Sequence, residues 1–480
     1  MRSFCVSVFI TAATLTQPLE AQTSRTALAP GNLAITNVTV IPMTSDTAIP
    51  NATVVVRDGR ITAVGPADRV RIPGRTRRVD GRGKFLIPGL ADMHTHLYAD
   101  GEEPDSVAPY ELGVMIANGV TTTRLMIGTP EHLVLRRDII SGRVLGPQLW
   151  LASPQFAGKD YGNTRVVTTP EEARAAVREV AAQGYDFIKL TLDISRPVYD
   201  AIVDEAPKHG MRVAGHVDPQ VGLARAIEAG QQIEHLDGYF EAILADSAPS
   251  RVSVSNFSVF RLANWSSLDH MDDVKLARIA GETARRGIWT SPTLTVFNTA
   301  FAIGQEEAEI RARPDWPFQP AKQRELYLGA NRRYWAPAAA TMRTEARRKR
   351  FVAVRNGLVK AIADSGGKIL AGSDTPEWFH VYGFALHREL ASLVAAGLTP
   401  YQALEAATRN PAEFFAASAD WGTIEAGKRA DLVLLAANPL TDIANTSRID
   451  AVAVGGRWVA RQELDRMLRA AAERLGREAR

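Results

Sequence analysis

Between residues 86 and 418 short apolar runs alternate with longer stretches of helical periodicity, and that alternation restricts the folds open to the chain. Eight strand candidates can be read, at 86–96, 120–126, 148–153, 186–193, 212–217, 232–236, 287–296 and 368–374. Helical patterns separate them, among them Glu171 to Gln183, Val198 to Lys208, Gly222 to Ala229 and Val274 to Arg286. Each of these four runs towards a glycine, Gly184, Gly210, Gly230 or Gly287, the residue best suited to the left-handed turn that ends a helix. Such alternation argues for a parallel sheet covered by helices, and eight units fit an α/β TIM (β/α)8 barrel over 86–418. A doubly wound sheet is the alternative, but it would not gather so many strand ends round one axis.

The flanks read differently. Residues 30–85 alternate apolar and polar side chains at Leu33 to Ile41 and Ala52 to Arg57, then pass the turn Asp58-Gly59 into Ile61 to Val64. Residues 419–460 contain Asp431 to Leu435, Ala451 to Val454 and the turn Gly455-Gly456. Each piece is too small to hold a core comfortably by itself, so the two are expected to pair into one small β-sandwich. Residues 461–480 read as an amphipathic surface helix. The stretch 297–350 is unusually long and carries Trp316, Phe318, Tyr327, Tyr334 and Trp335. A helical insertion partly covering the site is one reading of it, and a hairpin packed on the barrel wall is the other.

At the N-terminus, Arg2 precedes the apolar run Phe4 to Leu15, which is too short to span a bilayer as a helix. Residues 1–21 are therefore read as a signal peptide, with a periplasmic or secreted destination and no membrane attachment after processing. The one cysteine, Cys5, falls in that segment, so any metal site in the mature chain must use His, Lys and carboxylates. The 56 basic and 53 acidic residues nearly balance, which gives no argument for a nucleic-acid partner. A homo-oligomer is compatible with the sequence.

In a barrel of this kind reactive groups collect at the C-terminal strand ends. Strand one ends in His94 and His96, whose spacing in an extended strand points both side chains the same way. Strand four carries Lys189 inside an apolar run, strands five and six end in His216 and His235, and strand eight ends in Asp374. Taken singly, His216 or His235 would be a core histidine, Asp374 a helix cap and Lys189 half of an ion pair. Six such groups on five strands in one register instead point to a divalent-metal site. A buried ammonium beside metal cations would be repelled. A neutral lysine amine can add carbon dioxide and become an anionic two-oxygen carbamate, which argues for two bridged ions. His132, His209 and His270 sit in helical or loop contexts and read as structural or surface residues.

With these residues in view the chain resembles the amidohydrolase superfamily, in its binuclear branch with a carboxylated lysine. The resemblance includes Pro88-Gly89-Leu90, Gly119-Val120-Thr121-Thr122, Thr408-Arg409-Asn410-Pro411-Ala412, Gly422-Thr423-Ile424 and Ala430-Asp431-Leu432-Val433. It implies that His94, His96 and Asp374 hold the more buried metal and His216 and His235 the more exposed one. The carbamate of Lys189 and a hydroxide would bridge them. Zinc is the default ion for such donors, and manganese or cobalt would suit the oxygen ligands. The implied reaction is hydrolysis by the bridging hydroxide, with Asp374 moving the proton to the leaving group.

Prolidase-like members of this superfamily cleave dipeptides and N-acyl amino acids. They often carry a tyrosine two residues after the strand-five histidine, where Asp218 stands here. Imidazolonepropionase-like members use one metal and lack the strand-four lysine, so Lys189 speaks against that activity. Tyr98, Tyr239 and His380 are candidate substrate contacts. The expected substrate is a small-molecule amide or dipeptide. A cyclic amide, lactone or other ester is the alternative, and a non-catalytic binding protein is the rival of another class.

Overall fold

The computed structural model describes residues 31–97, 104–161, 164–249, 262–301, 306–335 and 344–476. Residues 1–21, with Cys5 and the expected leader, lie outside the described residues, as does Tyr98.

The N-terminal strands are β1 (Leu33–Val40), β2 (Ile49–Arg57), β3 (Arg60–Pro66), β4 (Arg77–Asp80) and β5 (Phe85–Pro88). The Asp58-Gly59 turn takes φ of 50° and 78°, and this left-handed pair matches the twist of the β2–β3 hairpin. The strands of the parallel region are β6 (Leu90–Thr95), β7 (Val120–Leu125), β8 (Gln148–Leu151), β9 (Gln155–Ala157), β10 (Thr164–Val166), β11 (Phe187–Leu190), β12 (Arg212–Gly215), β13 (Gln232–Glu234), β14 (Trp289–Ser291) and β15 (Lys368–Ile369). The chain closes with β16 (Leu432–Leu435), β17 (Ile449–Val454) and β18 (Arg457–Ala460).

Both ends of the chain share one sheet, in the order β18-β17-β16-β5-β1-β2-β3, with β4 beside β5 along one edge of β1. β16 runs antiparallel to β5, pairing Leu432 with Pro88 and Leu435 with Phe85. Leu33, Ile35, Val38, Val40, Val54, Leu432 and Leu434 bury their side chains in a cluster of their own. The expected union of the two ends is therefore present as a single sheet. A second stacked sheet, which a sandwich requires, is not among the pairings of the described residues.

Each of the eight expected strands has a counterpart in the parallel region. The first is corrected in one respect. Residues 86–96 are not one strand but two, β5 in the end sheet and β6 in the parallel sheet. Gly89 is the pivot between them. A Cβ there would lie 2.0 Å from Thr121 Oγ1, and its backbone N–H donates to Asp431 O at 2.8 Å.

The parallel strands pair as β6-β7-β8 and β10-β9-β11-β12-β13-β14-β15. Apart from the short β9–β10 pair, neighbours in space are neighbours in sequence. A doubly wound sheet would reverse its order at a switch point, and apart from the β9–β10 pair no reversal is present among the described residues. The two sheets meet through isolated parallel bridges, Ala152 with Phe187 and Thr95 with Thr375, rather than through continuous ladders. Asp374 N donates to His94 O at 2.8 Å and His96 N to Thr375 O at 2.7 Å across the second seam. The architecture is thus α/β, with helices outside parallel strands.

The four helix-ending glycines, Gly184, Gly210, Gly230 and Gly287, have φ of 90°, 69°, 73° and 65°. The helix Arg461–Leu475 buries Leu464, Ala471 and Leu475 and packs on the helix Pro104–Ala117. Described parts of the long insertion include the helices Glu307–Arg311 and Ala321–Ala330. Tyr327 stacks on Trp378 and meets Phe379 edge-on, Trp316 packs at a tilt on Phe379, and Tyr327 Oη donates to Glu377 at 3.1 Å. The insertion therefore packs on the loop that follows Asp374. Among the described residues no helix is long and apolar enough to cross a membrane.

Because the two sheets diverge at Gly89 against Thr121, Gly89→Val should lower stability by roughly 1–3 kcal/mol through overpacking. Urea unfolding of both proteins measures this, and an unchanged midpoint would show that the strands do not need the close pass.

Candidate metal centre

His94 is the penultimate residue of β6, and His96 lies just past its end. His216 and His235 each follow the last residue of β12 and β13, Lys189 lies in β11, and Asp374 lies beyond β15. All six side chains converge at the C-terminal ends of the strands. The ring centroids of His94 and His96 are 5.2 Å apart, those of His94 and His235 4.6 Å, and those of His216 and His235 4.9 Å. One carboxylate oxygen, Asp374 Oδ1, lies 3.3 Å from His94 Nε2 and 3.1 Å from His96 Nε2. His94, His235 and Asp374 offer ligand atoms that all lie within 4.8 Å of one another.

Strand alternation alone would turn His235 away, because Glu234 before it points inward. His235 and Leu236 instead adopt φ of 59° and 60°, which swings the ring back towards the cluster. Buried Arg355 secures that turn by donating to His235 O at 3.0 Å and to Pro292 O at 2.6 Å. Glu389 holds the adjoining segment, accepting from Leu294 N at 2.9 Å and Thr295 N at 2.6 Å. Burial pushes the imidazoles of His94 and His235 well below the usual histidine range and lowers that of His216. Neutral rings are the form that binds a metal.

Lys189 is 1% exposed, and its Nζ has no hydrogen-bond partner among the described residues. Burial pushes its amine down, with the charges of Glu234 and Asp374 opposing. An orphaned amine among four imidazoles and a carboxylate fits a group that would engage it. A second fit is on the same page. His94 Nδ1 lies 2.7 Å from Glu234 Oε2, which only accepts, so the proton of the neutral ring sits on Nδ1. The lone pair of Nε2 then faces Asp374 Oδ1, an arrangement that calls for a cation between them.

Several functional neighbours were missed at the sequence level. Asp92 accepts from Ser373 N at 2.9 Å and from Ser373 Oγ at 2.5 Å, tying β6 to the segment that carries Asp374. His216 Nδ1 lies 2.7 Å from Asp237 Oδ2, and His235 Nδ1 lies 2.8 Å from Thr293 Oγ1. Arg124 Nη2 donates to Glu234 Oε1 at 2.8 Å. Charged residues inside strands buried throughout, Arg124 in β7 and Glu234 in β13, were the signal.

Two expected substrate contacts are not brought to the cluster. Tyr239 is wholly buried, with its hydroxyl 2.9 Å from Thr283 Oγ1 on an outer helix. His380 is buried, with Nδ1 3.0 Å from Glu377 O, beside Arg313 and Arg388 rather than the four histidines. Asp218 takes Ile194 N at 3.1 Å and Gln220 N at 2.8 Å, so its carboxylate shapes the loop after His216. His132 is buried, as a structural histidine should be, and His209 pairs with Glu205.

The sequence profile of the amidohydrolase family matches residues 85–459. The chain belongs to the amidohydrolase family and is by that membership an enzyme of the hydrolase class. It is 44% identical over 64 residues to an imidazolonepropionase of Symbiobacterium thermophilum, a segment covering 12% of this chain and 15% of that protein. The chain thus aligns with only a fraction of that curated relative's length. A Bifidobacterium longum structure described as a prolidase is 27% identical with a TM-score of 0.63, covering 92% of this chain and 99% of the other. Bottromycin amidohydrolase, at 24% identity and a TM-score of 0.73, covers 96% and 94% and shares the fold.

A hydrogen-bonded chain behind His96 carries a pH prediction. Tyr382 Oη donates its one proton to His96 O at 2.7 Å, so the buried carboxyl of Glu111 must be the donor in its hydrogen bond to Tyr382. Burial raises that carboxyl from 4.5 to about 8. Between those values the folded state keeps a proton that the unfolded chain has lost, so stability falls as pH rises through this window. Glu111→Gln keeps a donor and removes the titration. Denaturant melts from pH 5 to 8 should show the variant gaining on the wild type as pH rises, and parallel curves would exclude a neutral Glu111.

Proposed function

We propose that this protein is an exported, metal-dependent amidohydrolase that cleaves a C–N bond of a small amide or dipeptide-like substrate. The observation that carries the reading is the partnerless Nζ of Lys189, buried among four imidazoles and Asp374. A (β/α)8 barrel closed through the two bridged seams is the frame we infer for it.

His94, His96 and Asp374 would hold one divalent ion, and His216 with His235 a second. Lys189 as a neutral amine would add carbon dioxide with loss of a proton, and the resulting carbamate would supply a further anionic ligand. When bound, such ions acidify a water and polarise a carbonyl. Zinc suits the imidazole-rich donor set. Asp374 sits where it can take the proton of the attacking water and return it to the leaving nitrogen. Arg355 and Glu389 keep the His235 turn in place, and the packed strand ends exclude bulk water from the inner side of the cluster. Likeness to the B. longum structure described as a prolidase, over nearly the full length of both chains, supports a dipeptide or N-acyl amino acid substrate.

The test is metal removal and return. Chelated protein should lose hydrolysis of dipeptides and N-acyl amino acids and regain it with two equivalents of zinc. Asp374→Asn should keep metal and lose turnover at least 100-fold. Near-normal turnover in that variant removes Asp374 from proton transfer. Two bound metals with no turnover on amides, lactams or lactones would favour a binding protein.

A further inference from the structure

Glu234 and Arg124 are both fully buried. Glu234 divides its two oxygens. Oε1 accepts from Arg124 Nη2 at 2.8 Å and from Gln232 Nε2 at 2.6 Å, and Oε2 takes His94 Nδ1–H at 2.7 Å. Arg124 also contacts the amide oxygen of Gln232, which fixes which way that amide faces. Both donors on Oε1 are therefore oriented, and a single acceptor atom is left for His94.

We propose that Glu234, set by Arg124 and Gln232, is a positioning residue that fixes His94 in its Nδ1–H tautomer and so commits His94 Nε2 to the metal. This rests on the metal-centre reading above and adds a residue outside its ligand set. The same ring without an acceptor at Nδ1 could place its proton on either nitrogen, and an Nε2–H ring cannot ligate through Nε2. The arrangement makes an unusual demand on the conservative variant. In Glu234→Gln the new amide oxygen is claimed by two donors, Arg124 and Gln232, so its NH2 faces His94 Nδ1. His94 must then accept at Nδ1 and carry its proton on Nε2, pointed at the metal position. Removing Arg124 as well frees both amides to turn, and an oxygen can again face His94.

The experiment compares wild type, E234Q and the double variant R124M/E234Q, each stripped and reloaded with Zn2+ or Co2+. Metal content is read by elemental analysis after chelator challenge, folding by circular dichroism, and the Co2+ absorption bands report the ligand field. We expect two equivalents in the wild type, at least tenfold weaker retention of one of them in E234Q, and recovery in the double variant. E234Q that retains both ions like wild type overturns the inference, as does a folded double variant that stays depleted. Should E234Q fail to fold, 15N shifts of His94 in metal-free wild type decide the matter, since an Nε2–H tautomer overturns the proposal and Nδ1–H supports it. Wild type that takes up no metal would instead sink the metal-centre reading, and this inference with it.

Discussion

One guanidinium carries much of the order at this site. Arg124 reaches from β7 to Met93 O on β6 at 2.5 Å and to Glu234 on β13 at 2.8 Å, with Phe187 and Phe414 on its faces at 5.5 and 5.4 Å. Taking two charges out of water is costly, and only close, well-directed partners offset it. Its hydrogen-bond partners Met93 and Glu234 each stand directly before a histidine, His94 and His235. The same interaction therefore satisfies a buried charge and links β7 to β6 and β13.

The histidines are supported unequally. His94 has a carboxylate behind it, as does His216 through Asp237, while His235 Nδ1 lies 2.8 Å from the hydroxyl of Thr293. His235 is instead restrained through its backbone, by Arg355 on its carbonyl and by a left-handed φ. A carboxylate behind an imidazole makes it a stronger donor, and a hydroxyl does so less.

Much of this was legible in the sequence because the strands are short, apolar and bounded by glycine. Lys189 stood out as a lysine in an apolar run, and the structure buries it. Asp374 and the four histidines were found by one rule, a ligand type at each strand end. That rule looks only at the last residue, which is why Glu234, one place earlier, escaped it. Arg124 and Asp92 lie inside strands and pair with residues more than 100 positions away, Glu234 and Ser373, which no local pattern encodes. Tyr239 was misplaced because an aromatic soon after a strand end can face the mouth or the outer helices, and only the packing against Thr283 decides. The split of 86–96 was hidden because a strand that changes sheets keeps its apolar composition throughout.

That split ties the two ends of synthesis together. β5 lies between β1, made early, and β16, made more than 300 residues later, and β6 continues from β5 through a single residue. A nascent chain can therefore carry all six ligand-type residues while the strand that anchors the first two still lacks a neighbour on one edge. Closing so long a loop costs entropy that local contacts cannot offset in advance. β5, and with it the start of β6, therefore gains its second edge partner only once β16 has been made.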